Sequence, residues 1–181
     1  MKILVFSDIH GSLFFTKKII ERIISEQPDQ LIVLGDIMYH GPRNPLPLEY
    51  DPLEVSVLLN KYADRIIGVR GNCDAEIDQS LLAYDAGGDY QKAVLNHRTF
   101  FVTHGHIYQP DNHPVLPDGS IFLSGHTHLP DIHETSGIYY LNPGSIALPK
   151  GDNPPSYGLI DEERLIIQDF AGNIIREMKI V

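Results

Sequence analysis

The sequence is poor in several residue types, and each shortage argues against a class of protein. Its 181 residues include one cysteine, Cys73, and no tryptophan. A single thiol cannot form a disulfide within the chain, so a disulfide framework is excluded and a reducing cytoplasm is the expected location. Without a second thiolate, a structural zinc site is not expected either.

Long apolar runs and basic clusters are also scarce. No apolar stretch approaches the ~20 residues that a membrane-spanning helix needs, so no membrane association is expected. The chain has 14 Lys and Arg against 24 Asp and Glu, a formal net charge of −10. Such an acidic chain without a basic patch is not expected to bind nucleic acid stably. If it acts on anions, its site needs local positive charge, which metal ions would supply.

The length predicts a single domain over residues 1–181. In the first half, apolar strands alternate with amphipathic helices. Ser12 is the expected N-cap of the first helix, and Asp51 followed by Pro52 is the expected start of the second. This order predicts a parallel βαβαβ arrangement. In the second half, short strands around turns at residues 96–98, 135–137 and 162–164, with a last strand near Ile174–Ile180, predict an antiparallel second sheet that packs against the first.

Five strand-like runs end on residues that bind metals, and this is the most informative pattern in the chain. Because strand ends of an open sheet meet at one edge, these side chains are expected to line one pocket. On an extended backbone, alternate side chains share a side, so Asp8 and His10 can both face one ion, and His126 and His128 have the same spacing. The candidate ligands are Asp8, His10, Asp36, Asn72, His104, His126 and His128.

This donor set is too large for one tetrahedral site and about right for two ions with five or six ligands each. Asp36 has two carboxylate oxygens, which suits it to bridge two cations. The mixture of oxygen and nitrogen donors fits two divalent metal ions, with Mn²⁺ expected and Zn²⁺, Fe or Ni²⁺ as alternatives.

The ordered motifs Asp8-Ile9-His10, Gly35-Asp36, Gly71-Asn72, His104-Gly105 and Gly125-His126-Thr127-His128 resemble those of the calcineurin-like metallophosphoesterases. With the short length and the segments His40-Gly41-Pro42-Arg43-Asn44 and Asn72-Cys73-Asp74, the chain looks most similar to the small bacterial phosphodiesterases of the YfcE type. The resemblance implies an α/β fold, a four-layer αββα sandwich of two mixed sheets with helices outside. It assigns one metal to Asp8, His10, Asp36 and His128, and the other to Asp36, Asn72, His104 and His126.

The resemblance also implies a mechanism, the hydrolysis of small phosphodiesters by a hydroxide that bridges a binuclear metal centre. Many relatives carry histidine after the Gly-Asn motif, where this chain has Cys73. A thiol is a poorer partner for phosphate, so a bias toward esters with good leaving groups is expected. His40 and Cys73 are candidate proton donors, Asp74 is a candidate for orienting a neighbouring ligand, and Arg43 and Asn72 are candidates for contacting the substrate.

Two other functions fit the same sequence. A retromer subunit of this fold works as a protein-interaction scaffold with a degraded metal site, whereas all the ligand positions are intact here. A phosphomonoesterase or pyrophosphohydrolase would differ in the loops that restrict the substrate. A homo-oligomer is also left open, since Leu13-Phe14-Phe15 is apolar enough for an interface.

Overall fold

Two β-sheets and two α-helices make up the computed structural model, which describes residues 1–180, so the predicted boundary at Val181 lies outside the described residues. The helices are α1 (Leu13–Glu26) and α2 (Pro52–Asn60), and two short 3₁₀ helices occupy Ala63–Arg65 and Glu76–Leu81. The strands are β1 (Ile3–Phe6), β2 (Gln30–Val33), β3 (Ile66–Gly68), β4 (Tyr90–Leu95), β5 (Arg98–Thr103), β6 (Ile121–Leu123), β7 (Pro130–Thr135), β8 (Ile138–Pro143), β9 (Ser156–Ile160), β10 (Arg164–Asp169) and β11 (Ile174–Lys179).

Both helices begin at the residues that the sequence predicts. The Ser12 hydroxyl accepts a hydrogen bond from the Phe15 backbone N–H at the start of α1. The Asp51 carboxylate accepts one from the Glu54 N–H at the start of α2, with proline in the first turn. These caps satisfy backbone donors that have no partner inside the helix.

The first sheet has the strand order β11-β10-β9-β1-β2-β3. Its parallel part, β1-β2-β3, confirms the predicted βαβαβ order. The assignment of β9, β10 and β11 to a second, antiparallel sheet is wrong. These strands continue the first sheet, because β9 pairs antiparallel with β1, for example Leu4 with Leu159. The free edge of β1 needs hydrogen-bond partners in a buried position, and β9 provides them.

The second sheet has the order β4-β5-β6-β8-β7 and is mixed. The β4–β5 and β7–β8 hairpins are antiparallel as predicted, but β6 runs parallel to both β5 and β8. The antiparallel prediction therefore fails for β6. Its neighbour β8 is reached only after the chain has turned back through β7, and this path leaves β6 and β8 in the same direction.

The expected sandwich of two mixed sheets is confirmed. One apolar core fills the space between the sheets, with Val5 and Ile32 from the first facing Val102 and Leu123 from the second. A second core lies between the first sheet and the two helices. Within residues 1–180, the outer face of the second sheet is covered by residues 106–118 rather than by a helix, through Tyr108 and Leu116.

Across residues 1–180, we find no helix with both the length and the apolar character that crossing a membrane requires.

Candidate metal centre

The predicted ligands come from both sheets and meet where the carboxyl ends of their strands adjoin. Asp8 and His10 follow β1, Asp36 follows β2, and Asn72 follows β3. The second sheet contributes the histidines that follow β5 and β6. The buried members of the set are Asp8, His10, Asp36, His104 and His128.

The backbone at these positions is not extended, so the conformation predicted for the paired ligands is wrong. Five of the predicted ligands lie in the left-handed region, namely Asp8 (φ 57°), His10 (φ 51°), Asp36 (φ 52°), His126 (φ 66°) and His128 (φ 61°). The chain turns immediately after each strand, and this turn aims the side chains at a common point. A non-glycine residue in this region costs roughly 1 kcal/mol, so strain is concentrated at the site.

Three imidazoles are oriented by hydrogen bonds to backbone carbonyls. His10 Nδ1 donates to Tyr39 O at 2.9 Å, His104 Nδ1 donates to Leu34 O at 2.7 Å, and His128 Nδ1 donates to Leu148 O. With Nδ1–H engaged in this way, each neutral ring presents the Nε2 lone pair to the pocket. Such an arrangement is typical of histidines that bind metal ions.

The Nε2 atoms face other acceptors rather than donors. His10 Nε2 lies 3.3 Å from His128 Nε2 and 3.6 Å from Asp36 Oδ2. His128 Nε2 lies 3.1 Å from Asp8 Oδ1, and His104 Nε2 lies 3.5 Å from Asp36 Oδ2. Lone pairs at these distances repel unless a proton or a cation lies between them. The donor set therefore fits divalent metal ions.

The electrostatics of the metal-free pocket agree with this reading. Burial lowers the pKa of His104, but the hydrogen bond with Asp36 and the charges of Asp8 and Asp36 outweigh it and raise that pKa to about 9. Burial likewise opposes the charge on Asp36, yet contact with His104 holds the pKa of this carboxyl well below its usual range. The two carboxylates therefore favour positive charge at His104.

The remaining two predicted ligands lie beside His104. Asn72 is exposed, and its Oδ1 lies 3.1 Å from His104 Nε2. The ring of His126 lies 5.1 Å from the ring of His104, between centroids. Burial, with the nearby charge of His104, lowers the pKa of His126 and keeps its ring neutral. The structure thus brings all the predicted ligands to one region, with His126 at its edge.

Asp74 holds two strand ends together through backbone contacts. Its Oδ2 accepts hydrogen bonds from the N–H groups of Asp36 and Gly71, each at 2.8 Å, and its Oδ1 accepts from Ile37 at 2.7 Å. With its oxygens bonded to backbone, this carboxylate is placed to position Asp36 rather than to contact a substrate. This agrees with the orienting role considered for it.

Cys73 lies against Asp36. Its backbone N–H donates to Asp36 Oδ1 at 2.8 Å, and its sulfur accepts from Asn72 Nδ2 at 3.3 Å. Burial and the charge of Asp36 raise the pKa of the Cys73 thiol to about 12. A thiol with this pKa is a weak acid near neutral pH, which argues against the proton-donor role for the metal-free state.

The two loop candidates, His40 and Arg43, contact none of the predicted ligands within residues 1–180. His40 packs its ring against Tyr39 and Tyr50, and its Nδ1 is buried without a hydrogen-bond partner among these residues. Arg43 is exposed and forms no ion pair in the described part of the chain. The loop itself lies near the site, since a Cβ on Gly41 would stand 3.1 Å from the Cys73 sulfur.

The sequence interpretation missed how the side chains of Asn142-Pro143-Gly144-Ser145, at the end of β8, brace the pocket. The Asn142 amide donates to Gly125 O at 2.7 Å, and the Ser145 hydroxyl donates to Asp8 O at 2.8 Å. The polar ends of this motif were the available signal, because buried hydroxyl and amide groups need partners.

Comparison with known proteins places this geometry in a family. The model of the calcineurin-like phosphoesterase superfamily domain matches residues 1–164. The chain is 43% identical over 167 residues to phosphodiesterase YfcE of Escherichia coli K12, which covers 92% of this chain and 91% of that protein. The solved structure of E. coli YfcE, described as a phosphoesterase, superimposes with a TM-score of 0.97 at 41% identity over the whole of both chains. Vacuolar protein sorting 29 from Cryptosporidium parvum matches with a TM-score of 0.68 at 18% identity over 98% of this chain and 97% of that one, which shows a shared fold alone.

Proposed function

This chain belongs to the calcineurin-like phosphoesterase superfamily, and on that premise we propose that it is a metal-dependent phosphodiesterase of small phosphodiesters. The observation that carries the proposal is the convergence of acceptor atoms from both sheets. Asp8, His10 and His128 each offer one ligand atom, and these three atoms lie within 4.8 Å of one another. The same holds for one ligand atom each from Asp8, Asp36 and His104. Such clustering of carboxylate and imidazole groups is favourable only around positive charge.

We further propose that the site holds two divalent ions, with Mn²⁺ as the expected metal, within a single domain of residues 1–181. One ion would be held by Asp8, His10, Asp36 and His128, and the other by Asp36, Asn72, His104 and His126. When bound, such ions neutralise phosphoryl oxygens and lower the pKa of water.

The residues of the chain have distinct tasks in this proposal. Because backbone carbonyls bind Nδ1 of His10, His104 and His128, Nε2 of each ring points into the pocket, where it can bind a metal ion. Asp74 fixes the backbone on both sides of Asp36, so that this carboxylate need not reorganise when substrate binds. Arg43, exposed and without an acidic partner in the described residues, is available to hold a phosphate oxygen.

His40 is the candidate proton donor for the leaving group. Its half-buried ring has an Nδ1 with no partner among residues 1–180, and its loop passes directly over Cys73. The weakly acidic thiol of Cys73 is less suited to this task. Esters with good leaving groups are therefore the expected substrates.

The cellular setting follows from charge and composition. With a net charge of −10, the protein is not expected to bind nucleic acid stably, and with one cysteine it suits the reducing cytoplasm. The shared fold with vacuolar protein sorting 29 leaves a scaffold as the second candidate. The buried, converging ligand set favours catalysis over that candidate.

A metal-by-substrate screen tests the proposal. Metal-stripped protein is refilled with Mn²⁺, Zn²⁺, Ni²⁺ or Mg²⁺ and assayed on aryl phosphodiesters, phosphomonoesters and pyrophosphates. Diester hydrolysis that Mn²⁺ restores is the expected result. His104→Asn should abolish it, whereas His97→Asn, an exposed histidine in the β4–β5 turn, should not.

Preference for monoesters or pyrophosphates would reassign the substrate class. Tight metal binding without turnover on any phosphoester would instead favour the scaffold.

A further inference from the structure

The sulfur of Cys73 lies among the metal-binding atoms. One ligand atom each from His10, Asp36 and Cys73 lie within 4.8 Å of one another. This triad shares His10 with the group around His128 and Asp36 with the group around His104. It therefore lies between the two groups to which the proposed ions are assigned.

Contacts on several sides fix the position of this sulfur. The Cys73 N–H is bonded to Asp36 Oδ1 at 2.8 Å, so the residue follows the carboxylate closely. Gly41 also lies close, since a Cβ there would stand 3.1 Å from the sulfur. The Asn72 amide donates to the sulfur at 3.3 Å. A donor of this kind is compatible with a thiolate, because a thiolate accepts hydrogen bonds.

A second observation points to a cation beside His10. Asp8 is fully buried, and its Oδ1 accepts no hydrogen bond of acceptable geometry within residues 1–180. That oxygen lies 3.1 Å from His128 Nε2 and 3.7 Å from Nε2 of His10, a residue that also belongs to the triad with Cys73. A buried carboxylate oxygen that lacks donors is stabilised when it coordinates a metal ion.

We propose that Cys73 is itself a metal ligand, which binds through sulfur the ion that His10 and Asp36 hold. The inference rests on the proposed metal-dependent function, since it adds a donor to that centre. On binding, the thiol proton leaves to solvent and the thiolate lone pair forms the bond to the metal. A sulfur donor favours Zn²⁺ and Co²⁺ over the harder Mn²⁺ and Mg²⁺.

The test uses Co²⁺ as a spectroscopic probe of the full chain. Cys73 is the sole cysteine, so a sulfur-to-cobalt charge-transfer band in the near ultraviolet can come only from this residue. Metal-stripped protein, reduced and kept without oxygen, is titrated with Co²⁺. The wild type should show that band together with the visible d–d bands of bound cobalt. Cys73→Ser and Cys73→Ala, with folding checked by circular dichroism, should lose the near-ultraviolet band and keep the d–d bands.

Metal competition gives a second readout. Cys73→Ser should lower the affinity for Zn²⁺ about tenfold or more, while the affinity for Mn²⁺ stays within about threefold. Equal losses for both ions would contradict sulfur ligation, as would d–d bands without a charge-transfer band in the wild type. Absence of both bands would be a separate outcome, since it would also overturn the metal centre of the proposed function.

Discussion

At the scale of single residues, backbone strain and metal-binding chemistry occur at the same positions. Asp8, Asp36 and His126 all have positive φ although none is glycine. Glycine would relieve this strain but has no side chain that can bind a metal ion. The strained positions therefore point to a function of the Asp and His side chains. Strained backbone of this kind is typical of functional sites.

Strain at His126 can be measured by comparing two variants that both remove the imidazole. We expect metal-free His126→Gly to be more stable than His126→Ala by about 1 kcal/mol, because alanine keeps the penalty at φ 66°. Urea denaturation gives the difference. At Val94, an exposed residue in strand β4, the order should reverse, since glycine weakens a strand. The same order at both sites would argue against backbone strain at His126.

We predict that Cys73 limits which leaving groups the site can release. We expect Cys73→His to raise kcat/KM on alkyl phosphodiesters by about tenfold or more, with little change for nitrophenyl esters, because imidazole gives up a proton near neutral pH. Steady-state kinetics on a series of leaving groups measures this. Cys73→Gln, of similar size but unable to titrate, is the matched control and should bring no gain. If Cys73→His is no faster on any phosphoester, the interpretation of this position is wrong.

The identity of the candidate ligands could be predicted from sequence, whereas their orientation could not. Each candidate follows an apolar run, and that local pattern is visible without a structure. The rings, however, are oriented by carbonyls that lie elsewhere in the chain, such as Leu34 for His104 and Leu148 for His128. Those partners depend on the packing of two sheets, which no local pattern reports.

At the scale of elements, glycines permit the strand ends to approach each other. A Cβ on Gly71 would stand 2.1 Å from Asp36 Oδ1 and 2.3 Å from Asp36 N. A Cβ on Gly125 would stand 2.0 Å from the Ser7 hydroxyl and 2.8 Å from Asp8 Oδ2. The loop after β3 therefore contacts Asp36, which follows β2, and the loop after β6 contacts Asp8, which follows β1.

Gly71→Ala should therefore disrupt the metal site even though every candidate ligand residue is kept. The methyl group must displace Asp36, and we expect metal affinity to fall by about tenfold to a hundredfold, as is typical when the residues that orient ligands are changed. Titration with a chromophoric chelator measures the affinity. Gly87→Ala is the control, because a Cβ there meets its nearest atoms at 3.7 Å, an ordinary contact. Unchanged affinity in Gly71→Ala would show that Asp36 can move without cost.

The sequence predicts where helices and strands form better than it predicts which strands pair with one another. The predicted N-caps Ser12 and Asp51 are confirmed because capping is local. The placement of β9, β10 and β11 failed because a hairpin pattern reports only that neighbouring strands pair. Which outer edge the hairpin then joins depends on long-range packing, here on the pairing of Leu4 with Leu159.

At the scale of the whole molecule, buried charge makes the stability of the metal-free protein depend on pH. Folding raises the pKa of His104 from its ordinary 6.5 to about 9. The protonated ring therefore contributes stability that is fully present below pH 6.5 and is lost as pH rises through about 9. The contribution is at most roughly 3 kcal/mol, since one pKa unit corresponds to about 1.4 kcal/mol.

We accordingly expect the unfolding free energy of metal-free protein to decrease from pH 6.5 to 9.5. Urea denaturation in the presence of chelator measures it at each pH. His97→Asn should keep the trend, and His104→Asn should weaken it. With saturating metal this decrease should disappear, because the liganded ring is unprotonated in the folded state throughout the range. A flat profile without metal would mean that His104 is not protonated in the pocket.

The division of the ligands between two sheets has a consequence for protein synthesis. A nascent chain that has emerged only through Asn72, just beyond β3, contains Asp8, His10, Asp36 and Asn72 but none of the histidines that follow β5 and β6. It cannot complete both proposed ion sites until the residues through His128 have left the ribosome and the second sheet has docked. Metal loading would thus report a finished fold, and a truncated product would remain unloaded in the cell.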